Sequence, residues 1–256
     1  MSSQFDRARL SVVIITLNAA HQLEDCLASA GFADEIVILD SGSTDATIAV
    51  AARHGAQVSQ GPWLGFGPQK RKAVTLATHD WVLCLDADER VSPELAASIR
   101  AALASPGQRA YRMARANRFM GRLLRHGEGY PDWSLRLFHR AHAQWSMDAV
   151  HEKVLTTEAV GTLNGDLLHY SAESLKTYLA KQDRYTTLQA EILAREGARA
   201  GLAHIVLSPL VRFIKFYFFK RGFLDGIPGL VHIAIGCRNS MVKYAKLRAL
   251  RRAASR

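Results

Sequence analysis

The sequence predicts an α/β fold built on a mostly parallel sheet that is flanked by helices. Three apolar runs lead to this prediction, at residues 10–17, 35–40 and 81–86. They lack a helical period and are rich in aliphatic residues, so they read as buried strands. Segments with helical spacing or helix-start signals follow them, as expected when helices connect parallel strands. The first hundred residues are therefore expected to alternate strands and helices around one sheet.

Local signals define the individual elements. Ser43, Thr44 or Asp45 can cap the helix after the second strand, and Ser92 is suited to cap a helix that begins at Pro93. Glycine and proline mark the loop before the third helix. In chain order, the predicted elements are strand 10–17, helix 19–30, strand 35–40, a helix ending near residue 54, strand 56–59, helix 69–77, strand 81–86 and a helix from residue 93.

The third apolar run ends in two carboxylates one residue apart, Asp86 and Asp88, in the segment LDADE. In open α/β sheets, the carboxyl ends of the strands form the edge that binds ligands. Mg²⁺ and Mn²⁺ prefer oxygen ligands, and an ion held by one or two protein carboxylates keeps positions free for substrate phosphates. The pattern indicates metal-dependent binding of a nucleotide diphosphate, with a solvated acidic turn as the alternative.

Several motifs resemble those of the family 2 glycosyltransferases, which have the GT-A fold. Three ordered motifs in the first hundred residues have this resemblance: ILDSGSTDAT at 38–47, the pair Lys70-Arg71 before a helix, and LDADE at 85–89. Later segments are similar to a subgroup that includes bacterial lipopolysaccharide-core β-glucosyltransferases: YPDWSLRLFHR at 130–140, VHEKV at 150–154, HYS at 169–171 and KQDRYTT at 181–187. The resemblance covers most of the chain and implies a GT-A catalytic domain at residues 1–170.

The resemblance also implies how a nucleotide sugar and its metal would be held. Asp40 matches the family position that contacts the uracil or ribose, and Asp86 matches the aspartate nearer the ribose. Asp88 matches the metal-ligating aspartate, so the expected cofactor is Mg²⁺ or Mn²⁺. His151 resembles the C-terminal histidine that contacts the metal or the diphosphate in GT-A folds. Glu89 is expected to lie behind these groups.

Basic residues are expected near the diphosphate. Lys70 occupies the place where many relatives carry a basic residue that faces the diphosphate, whereas Arg71 stands where asparagine is common. This departure leaves open how Lys70 and Arg71 divide the binding of the substrate. Arg136, on the predicted strand 133–139, is expected either to bind phosphate or to position a carboxylate.

Transfer of a sugar also requires a base for the acceptor hydroxyl. Asp132 agrees in order and spacing with the downstream acidic motif of the family and is the predicted catalytic base, with Glu128 and Glu152 as alternatives. The family works by a single inverting displacement, so the resemblance implies no covalent intermediate. Trp63 and Trp133 are candidate platforms for the sugar, with burial in the core as the alternative.

Composition limits the cellular setting. The chain has 256 residues, 48% of them hydrophobic, which is enough for a full core. Its three cysteines are scattered and odd in number, so they support neither a disulfide framework nor a cysteine metal site, and a reducing, cytoplasmic setting is expected. The apolar stretch near the N-terminus is short and reads as the first strand, so no export is expected.

The net charge of +10 is concentrated in the C-terminal segment. Residues 203–256 contain eleven lysines and arginines and one acidic residue, Asp225, together with apolar stretches at 205–219 and 230–237. Pro209, Arg212 and Lys215 interrupt the first stretch, which favours a helix lying in an anionic membrane interface over a spanning helix. The alternatives are a packed helical layer and nucleic-acid binding, but no nucleic-acid recognition motif is present.

These observations combine into one functional prediction. The chain is expected to be an inverting glycosyltransferase, peripheral on the cytoplasmic face of the cell membrane, that moves a hexose from a UDP-sugar to a lipid-linked core oligosaccharide. Glucose is favoured through the subgroup resemblance. Residues 171–256 are expected to form a helical extension on the membrane surface, beginning with an amphipathic helix at 171–197. Three alternatives remain: a polyprenyl-phosphate sugar synthase, a capsule or exopolysaccharide glycosyltransferase, and a membrane- or nucleic-acid-binding protein that keeps the fold without catalysis.

Overall fold

The structure, a computed structural model, describes residues 7–148, 152–171 and 174–254. Its strands and helices are, in chain order, β1 Leu10–Thr16, α1 Ala20–Ser29, β2 Glu35–Asp40, α2 Thr47–Arg53, β3 Gln57–Gln60, α3 Phe66–Thr75, β4 Trp81–Asp86, β5 Glu89–Val91, α4 Pro93–Ala104, β6 Ala110–Phe119, β7 Arg122–Leu123, β8 Asp132–His139, β9 Ala143–Trp145, β10 Val154–Thr156, β11 Val160–His169, α5 Leu175–Arg195, α6 Leu202–Phe213, a π-helical segment Ile214–Phe219, a 3-10 helix Gly222–Asp225 and α7 Gly226–Ala254.

The chain divides into two compact units. The first unit contains the N-terminal residues up to Arg115 together with Asp132–Tyr170, and the second contains Ala116–Pro131 and Ser171–Arg256. The first unit ends at Tyr170, and the division into a catalytic domain at 1–170 and a helical extension at 171–256 stays a prediction. The sequence did not predict that residues 116–131 belong to the second unit.

The first unit is built on a large mixed sheet. Its strand order is β3-β2-β1-β4-β8-β6-β11-β5. The four strands from β3 to β4 are parallel, whereas β8 runs antiparallel to both β4 and β6, and β5 runs antiparallel to β11. The predicted α/β class is therefore confirmed, with the parallel strands forming the N-terminal half of the sheet.

Alternating side chains of the strands form a core on each face of this sheet. On one face, Ile14 and Leu83 pack in a cluster that includes Leu27 of α1 and Ile99 of α4. On the other face, Val13, Leu39, Ala73 of α3 and Phe138 belong to a second cluster. Helices thus cover both faces of the parallel strands, which leaves their carboxyl edge as the place for a ligand.

The predicted cap of α4 is confirmed, whereas the predicted cap of α2 is not. The Ser92 hydroxyl accepts a hydrogen bond from the Leu95 amide at 3.2 Å, so Ser92 caps α4. The N-cap residue of α2 is Ala46, which makes no side-chain cap hydrogen bond, so none of Ser43, Thr44 and Asp45 is the N-cap. Asp45, one position earlier, accepts from the amide of Thr47, the first residue of α2, at 2.9 Å and from the Ala20 amide at 3.2 Å. Asp45 therefore ties the beginnings of α1 and α2 together.

The second unit consists mainly of helices α5, α6 and α7. Asp225 is 2% exposed, and its carboxylate accepts hydrogen bonds from the amides of Arg125 and His126 at 3.0 and 2.8 Å. Arg212 of α6 forms an ion pair with Glu128. These contacts explain why the segment 116–131 belongs with the C-terminal helices.

Candidate active site

The carboxyl ends of β1, β2 and β4 bring three of the predicted site residues to one edge. The register pairs Thr16 of β1 with Asp40 of β2, and Ile15 of β1 with Asp86 of β4. Asp40 and Asp86 therefore end the two strands that flank β1, whose axes are about 10 Å apart. Asp88 lies two residues beyond Asp86 in the turn to β5. This edge is the expected place for a ligand in such a sheet.

Asp40 is buried and fully hydrogen-bonded. Its Oδ1 accepts from the amides of Gly42 and Ser43 at 3.0 and 2.8 Å, and its Oδ2 accepts from the hydroxyls of Thr16 and Ser43 at 2.7 and 2.5 Å. Burial acts to raise the pKa of Asp40, but these donors, with Ser43 the largest contributor, lower it below the usual range. The ionised carboxylate fixes the turn after β2, and its contact with a base or ribose stays a prediction.

Two buried cations, Lys70 and Arg136, pair with the partly exposed Asp86 beside this edge. The Lys70 Nζ lies 2.8 Å from Asp86 Oδ1, and the Arg136 Nη2 lies 2.8 Å from Asp86 Oδ2 and 2.9 Å from Glu89 Oε1. The ring of Trp145 lies beneath both cations, with its centroid 4.7 Å from Lys70 Nζ and 5.5 Å from Arg136 Cζ. Side chains from α3, β4, β5 and β8 thus meet at one point.

Ion pairs continue from these three residues in both directions. The Lys70 Nζ also lies 2.7 Å from Glu152 Oε1. Arg115 lies 3.4 Å from Glu89 and 2.7 Å from Asp132. The residues form one charge network in which the sign alternates at every step, in the order Glu152, Lys70, Asp86, Arg136, Glu89, Arg115 and Asp132. The network connects the predicted base to the aspartate that ends β4.

The cations of the charge network keep Asp86 ionised. Burial acts to raise the pKa of Asp86, but Arg136 and Lys70 lower it well below the usual range. Burial likewise opposes the charge on Arg136, and Glu89 and Asp86 raise the pKa of that guanidinium above its usual value. Protein carboxylates therefore already pair with Lys70 and Arg136. The buried Nη1 of Arg136 has no hydrogen-bond partner among the described residues, so Arg136 keeps one donor for a further group.

Arg136→Met is expected to lower the free energy of unfolding by about 3–5 kcal/mol, because the buried carboxylate of Glu89 and the partly exposed carboxylate of Asp86 would lose their shared cation. Urea unfolding at neutral pH measures this loss. Because Asp86 has a lowered pKa in the folded state, its stabilising contribution is present above the unfolded pKa of about 3.9 and is lost as the pH falls. The difference in the free energy of unfolding between wild type and variant should therefore become smaller as the pH falls below about 4.

The matched control for this substitution is Arg53→Met, which removes a solvent-exposed arginine paired with Glu24. Exposed pairs contribute at most about 1 kcal/mol. Equal losses of stability in Arg53→Met and Arg136→Met would contradict a buried, mutually dependent charge network.

Asp88 is the aspartate of the motif that lies outside the charge network. Its Oδ2 is 3.1 Å from Nε2 of His169, the last residue of β11. Two ligands at right angles on an octahedral Mg²⁺-sized ion are separated by about 3 Å, so this oxygen and nitrogen fit adjacent coordination positions. No cluster of three or more potential metal ligands occurs among the described residues.

Asp132 lies at the beginning of β8, directly opposite Arg115 of β6 in the antiparallel register. The Nε and Nη2 of Arg115 donate hydrogen bonds to Asp132 Oδ2 at 2.9 and 2.7 Å. Burial opposes the charge on Arg115, but Glu89 and Asp132 raise the pKa of its guanidinium. The Asp132 side chain is 38% exposed, so it can meet a hydroxyl that arrives from solvent.

The remaining predicted residues differ in their placement. Glu152, an alternative base, is paired with Lys70, and Glu128, the other alternative, is paired with Arg212 in the second unit. Arg71 is exposed on α3 and is not part of the charge network. His151 lies outside the described residues, so its role as a metal ligand stays a prediction.

Sequence reasoning did not identify the roles of Arg115 and Trp145. Neither residue belongs to a quoted motif, and each reaches the site through antiparallel pairing or side-chain packing that has no local signal. His169 lies in the HYS motif, for which the sequence predicts no role. Trp63 and Trp133 are each 46% exposed, so burial in the core is wrong for both, and their role as sugar platforms stays a prediction.

Several known proteins are similar to this chain in sequence. The family model "Glycosyl transferase family 2" matches residues 11–156. A glycosyltransferase of Rickettsia bellii is 31% identical over 258 residues, which cover 94% of this chain and 87% of the relative. The lipopolysaccharide core biosynthesis glycosyltransferase LpsC of Rhizobium meliloti is 28% identical over 246 residues, which cover 93% and 91%.

Among solved structures, residues 1–349 of TarS from S. aureus, in complex with UDP-GlcNAc, have a similar fold. The TM-score is 0.51 at 15% sequence identity, and the match covers 96% of this chain and 92% of that one. The GT-A fold predicted from the motifs is therefore confirmed. Since the family model spans more than half of the chain and the Rickettsia relative matches nearly all of it, the chain belongs to glycosyltransferase family 2.

Proposed function

We propose that the protein transfers a hexose from a UDP-sugar to a lipid-linked core oligosaccharide of lipopolysaccharide, in a metal-dependent, inverting reaction. One observation carries the proposal. Asp86 and Asp88 lie at the carboxyl edge of the parallel strands, and the charge network connects Asp86 to Asp132. A group that can bind a metal–diphosphate and a group that can accept a proton therefore belong to one arrangement.

On the donor side, Asp88 and His169 would hold Mg²⁺ or Mn²⁺ through the oxygen and nitrogen that lie 3.1 Å apart. Such an ion supplies neutralisation of the charge that develops on the leaving diphosphate. Asp40 fixes the turn after β2, where the base and ribose would bind. The unpartnered Nη1 of Arg136 is a candidate donor to a substrate oxygen.

On the acceptor side, Asp132 would take the proton of the attacking hydroxyl. Arg115 holds Asp132 Oδ2 with two hydrogen bonds and fixes the orientation of the carboxylate. Attack from the face opposite the diphosphate gives a β-linked product from an α-linked donor in one step. This step needs only a positioned base and a stabilised leaving group, so no protein nucleophile is required.

The acceptor class and the hexose rest on relatives. The similarity to LpsC over 93% of this chain supports a lipopolysaccharide core acceptor. Glucose as the transferred sugar rests on the motifs shared with β-glucosyltransferases. An acceptor made on the cytoplasmic side of the cell membrane would place the enzyme at that inner surface.

Release of UDP from a panel of UDP-sugars, with Mn²⁺, with Mg²⁺ and with a chelator, tests this proposal. UDP-glucose is expected to be cleaved fastest, and chelation should abolish the reaction. Addition of a lipid-linked core oligosaccharide should accelerate UDP release, whereas polyprenyl phosphate should not. If polyprenyl phosphate accelerates UDP release and the core oligosaccharide does not, the acceptor is polyprenyl phosphate. Release of UDP without a metal would contradict the proposed donor site.

A further inference from the structure

A continuous helical segment of the second unit exposes most of its large apolar side chains. The segment Leu202–Phe219 comprises α6 and the π-helical turn, has a mean hydropathy of 1.5, and is long and apolar enough to cross a membrane by length and composition. Eight of its large apolar side chains are 41–80% exposed. They are Leu202, Val206, Leu207, Leu210, Val211, Ile214, Phe218 and Phe219, which we call the apolar stripe.

The opposite side of this segment packs on protein. The hydroxyls of Ser208 and Ser240 of α7 lie 2.9 Å apart, and the Cys237 Sγ donates to the Pro209 carbonyl at 3.3 Å. Arg212 on the same side forms the ion pair with Glu128. The stripe recurs every three or four residues and so occupies one face of the segment, while α7 covers the other.

The segment that carries the apolar stripe also has basic side chains and no acidic ones. Lys215, Lys220 and Arg221 are exposed, and residues 203–224 contain no acidic residue. Asp225 follows, but its carboxylate is buried and binds the amides of Arg125 and His126. The segment that carries the stripe therefore bears only positive charge, and an exposed apolar patch of this kind marks an interaction site.

We propose that the apolar stripe docks the protein on an anionic lipid bilayer, with the stripe in the acyl boundary and the basic side chains among the headgroups. Two other occupants fit less well. A second copy of the chain would bring two positive surfaces together in a symmetric contact. A spanning arrangement would place the Arg212–Glu128 pair and the α7-facing side of the segment in the hydrocarbon layer. The proposal does not depend on the sugar donor or the acceptor.

Co-sedimentation of the full chain with vesicles tests this surface. Vesicles of phosphatidylcholine are compared with vesicles that also contain phosphatidylglycerol, at low and high salt. Phe218→Ser with Phe219→Ser is expected to lower partitioning about tenfold or more on both vesicle types. Lys215→Gln with Lys220→Gln should lower it roughly tenfold on the anionic vesicles only, and high salt should reduce this difference.

Helix α5 supplies matched controls, because Leu188 and Ile192 are 45% and 44% exposed and Lys176 and Arg195 are exposed. Leu188→Ser with Ile192→Ser, and Lys176→Gln with Arg195→Gln, should leave partitioning within about twofold. Circular dichroism and thermal unfolding of each variant show whether it folds. The proposal would be overturned if the α5 variants and the stripe variants lost partitioning onto vesicles equally, or if the wild-type protein showed no preference for anionic vesicles.

Two further outcomes would assign the surface to another occupant. Protein that resists extraction from vesicles at high salt and high pH would be inserted across the bilayer. A dimer in sedimentation velocity that Phe218→Ser with Phe219→Ser dissociates would identify a second copy as the partner. Either result would contradict the proposal that the stripe docks in the interface of a lipid bilayer.

Discussion

Asp88→Ala is expected to lower the metal-dependent affinity for UDP by at least about a hundredfold. Asp88 is the carboxylate of the LDADE motif that lies outside the charge network, and its Oδ2 lies 3.1 Å from His169 Nε2, a spacing that fits two adjacent metal ligands. Loss of a residue that only supports a metal ligand costs about 10–100-fold in metal affinity, so loss of the ligand itself should cost more. Calorimetric titration with UDP in the presence of Mn²⁺ measures the change.

The matched control is Asp80→Ala, the same change at the opposite end of β4. The Asp80 side chain is 65% exposed and pairs with Arg140. This variant should bind UDP and Mn²⁺ as wild type does. Unchanged affinity in Asp88→Ala would remove Asp88 from the metal site and with it the proposed donor site.

Asp132→Asn is expected to lower kcat by roughly two to four orders of magnitude, the usual contribution of a general base. Asparagine keeps the size of the side chain and an oxygen that can accept the hydrogen bonds from Arg115. The affinity for UDP should therefore stay within a few-fold of wild type, so that the loss appears in turnover. Steady-state transfer kinetics and a UDP titration of the same preparation separate the two quantities.

Two other variants distinguish the alternative bases. Glu152→Gln should weaken the pairing with Lys70, and Glu128→Gln changes an ion pair of the second unit. Neither is expected to reduce kcat as much as Asp132→Asn. If Asp132→Asn keeps turnover within a few-fold and Glu152→Gln does not, the base is Glu152.

The parallel half of the sheet and its edge could be predicted because the signals are local. Asp40 and Asp86 each follow an apolar strand, so the sequence itself places them at the carboxyl edge. Ser92 is likewise predicted as a cap from its neighbours in the sequence. Chemistry that depends on one strand and the turn after it is visible in a single sequence.

The partners of these residues could not be predicted, because they arrive from distant antiparallel strands. Arg115 meets Asp132 through the β6–β8 register, which contains an irregularity between Tyr111 and Arg112. His169 reaches Asp88 from the end of β11, 81 positions away. A register shift of one residue would turn each side chain to the other face of the sheet, and no sequence pattern fixes it here.

The charge network also changes the interpretation of single residues. Lys70 and Arg136 read from the sequence as ligands of phosphate, yet in the structure protein carboxylates already pair with both cations. Burial and pairing are properties of the assembled core, and a motif alone does not reveal them. A substrate would therefore contact residues that already stabilise the protein through their ion pairs. For this reason Arg136→Met is expected to affect stability as well as activity.

Anomalous diffraction from crystals grown with UDP and Mn²⁺ tests whether Asp88 and His169 hold the metal, since it locates the ion independently of activity. We expect one Mn²⁺ peak within about 2.5 Å of an Asp88 carboxylate oxygen and of His169 Nε2, with the diphosphate of UDP completing the coordination at the carboxyl edge of β1 and β4. A peak at another group of residues, or UDP bound away from this edge, would contradict this assignment.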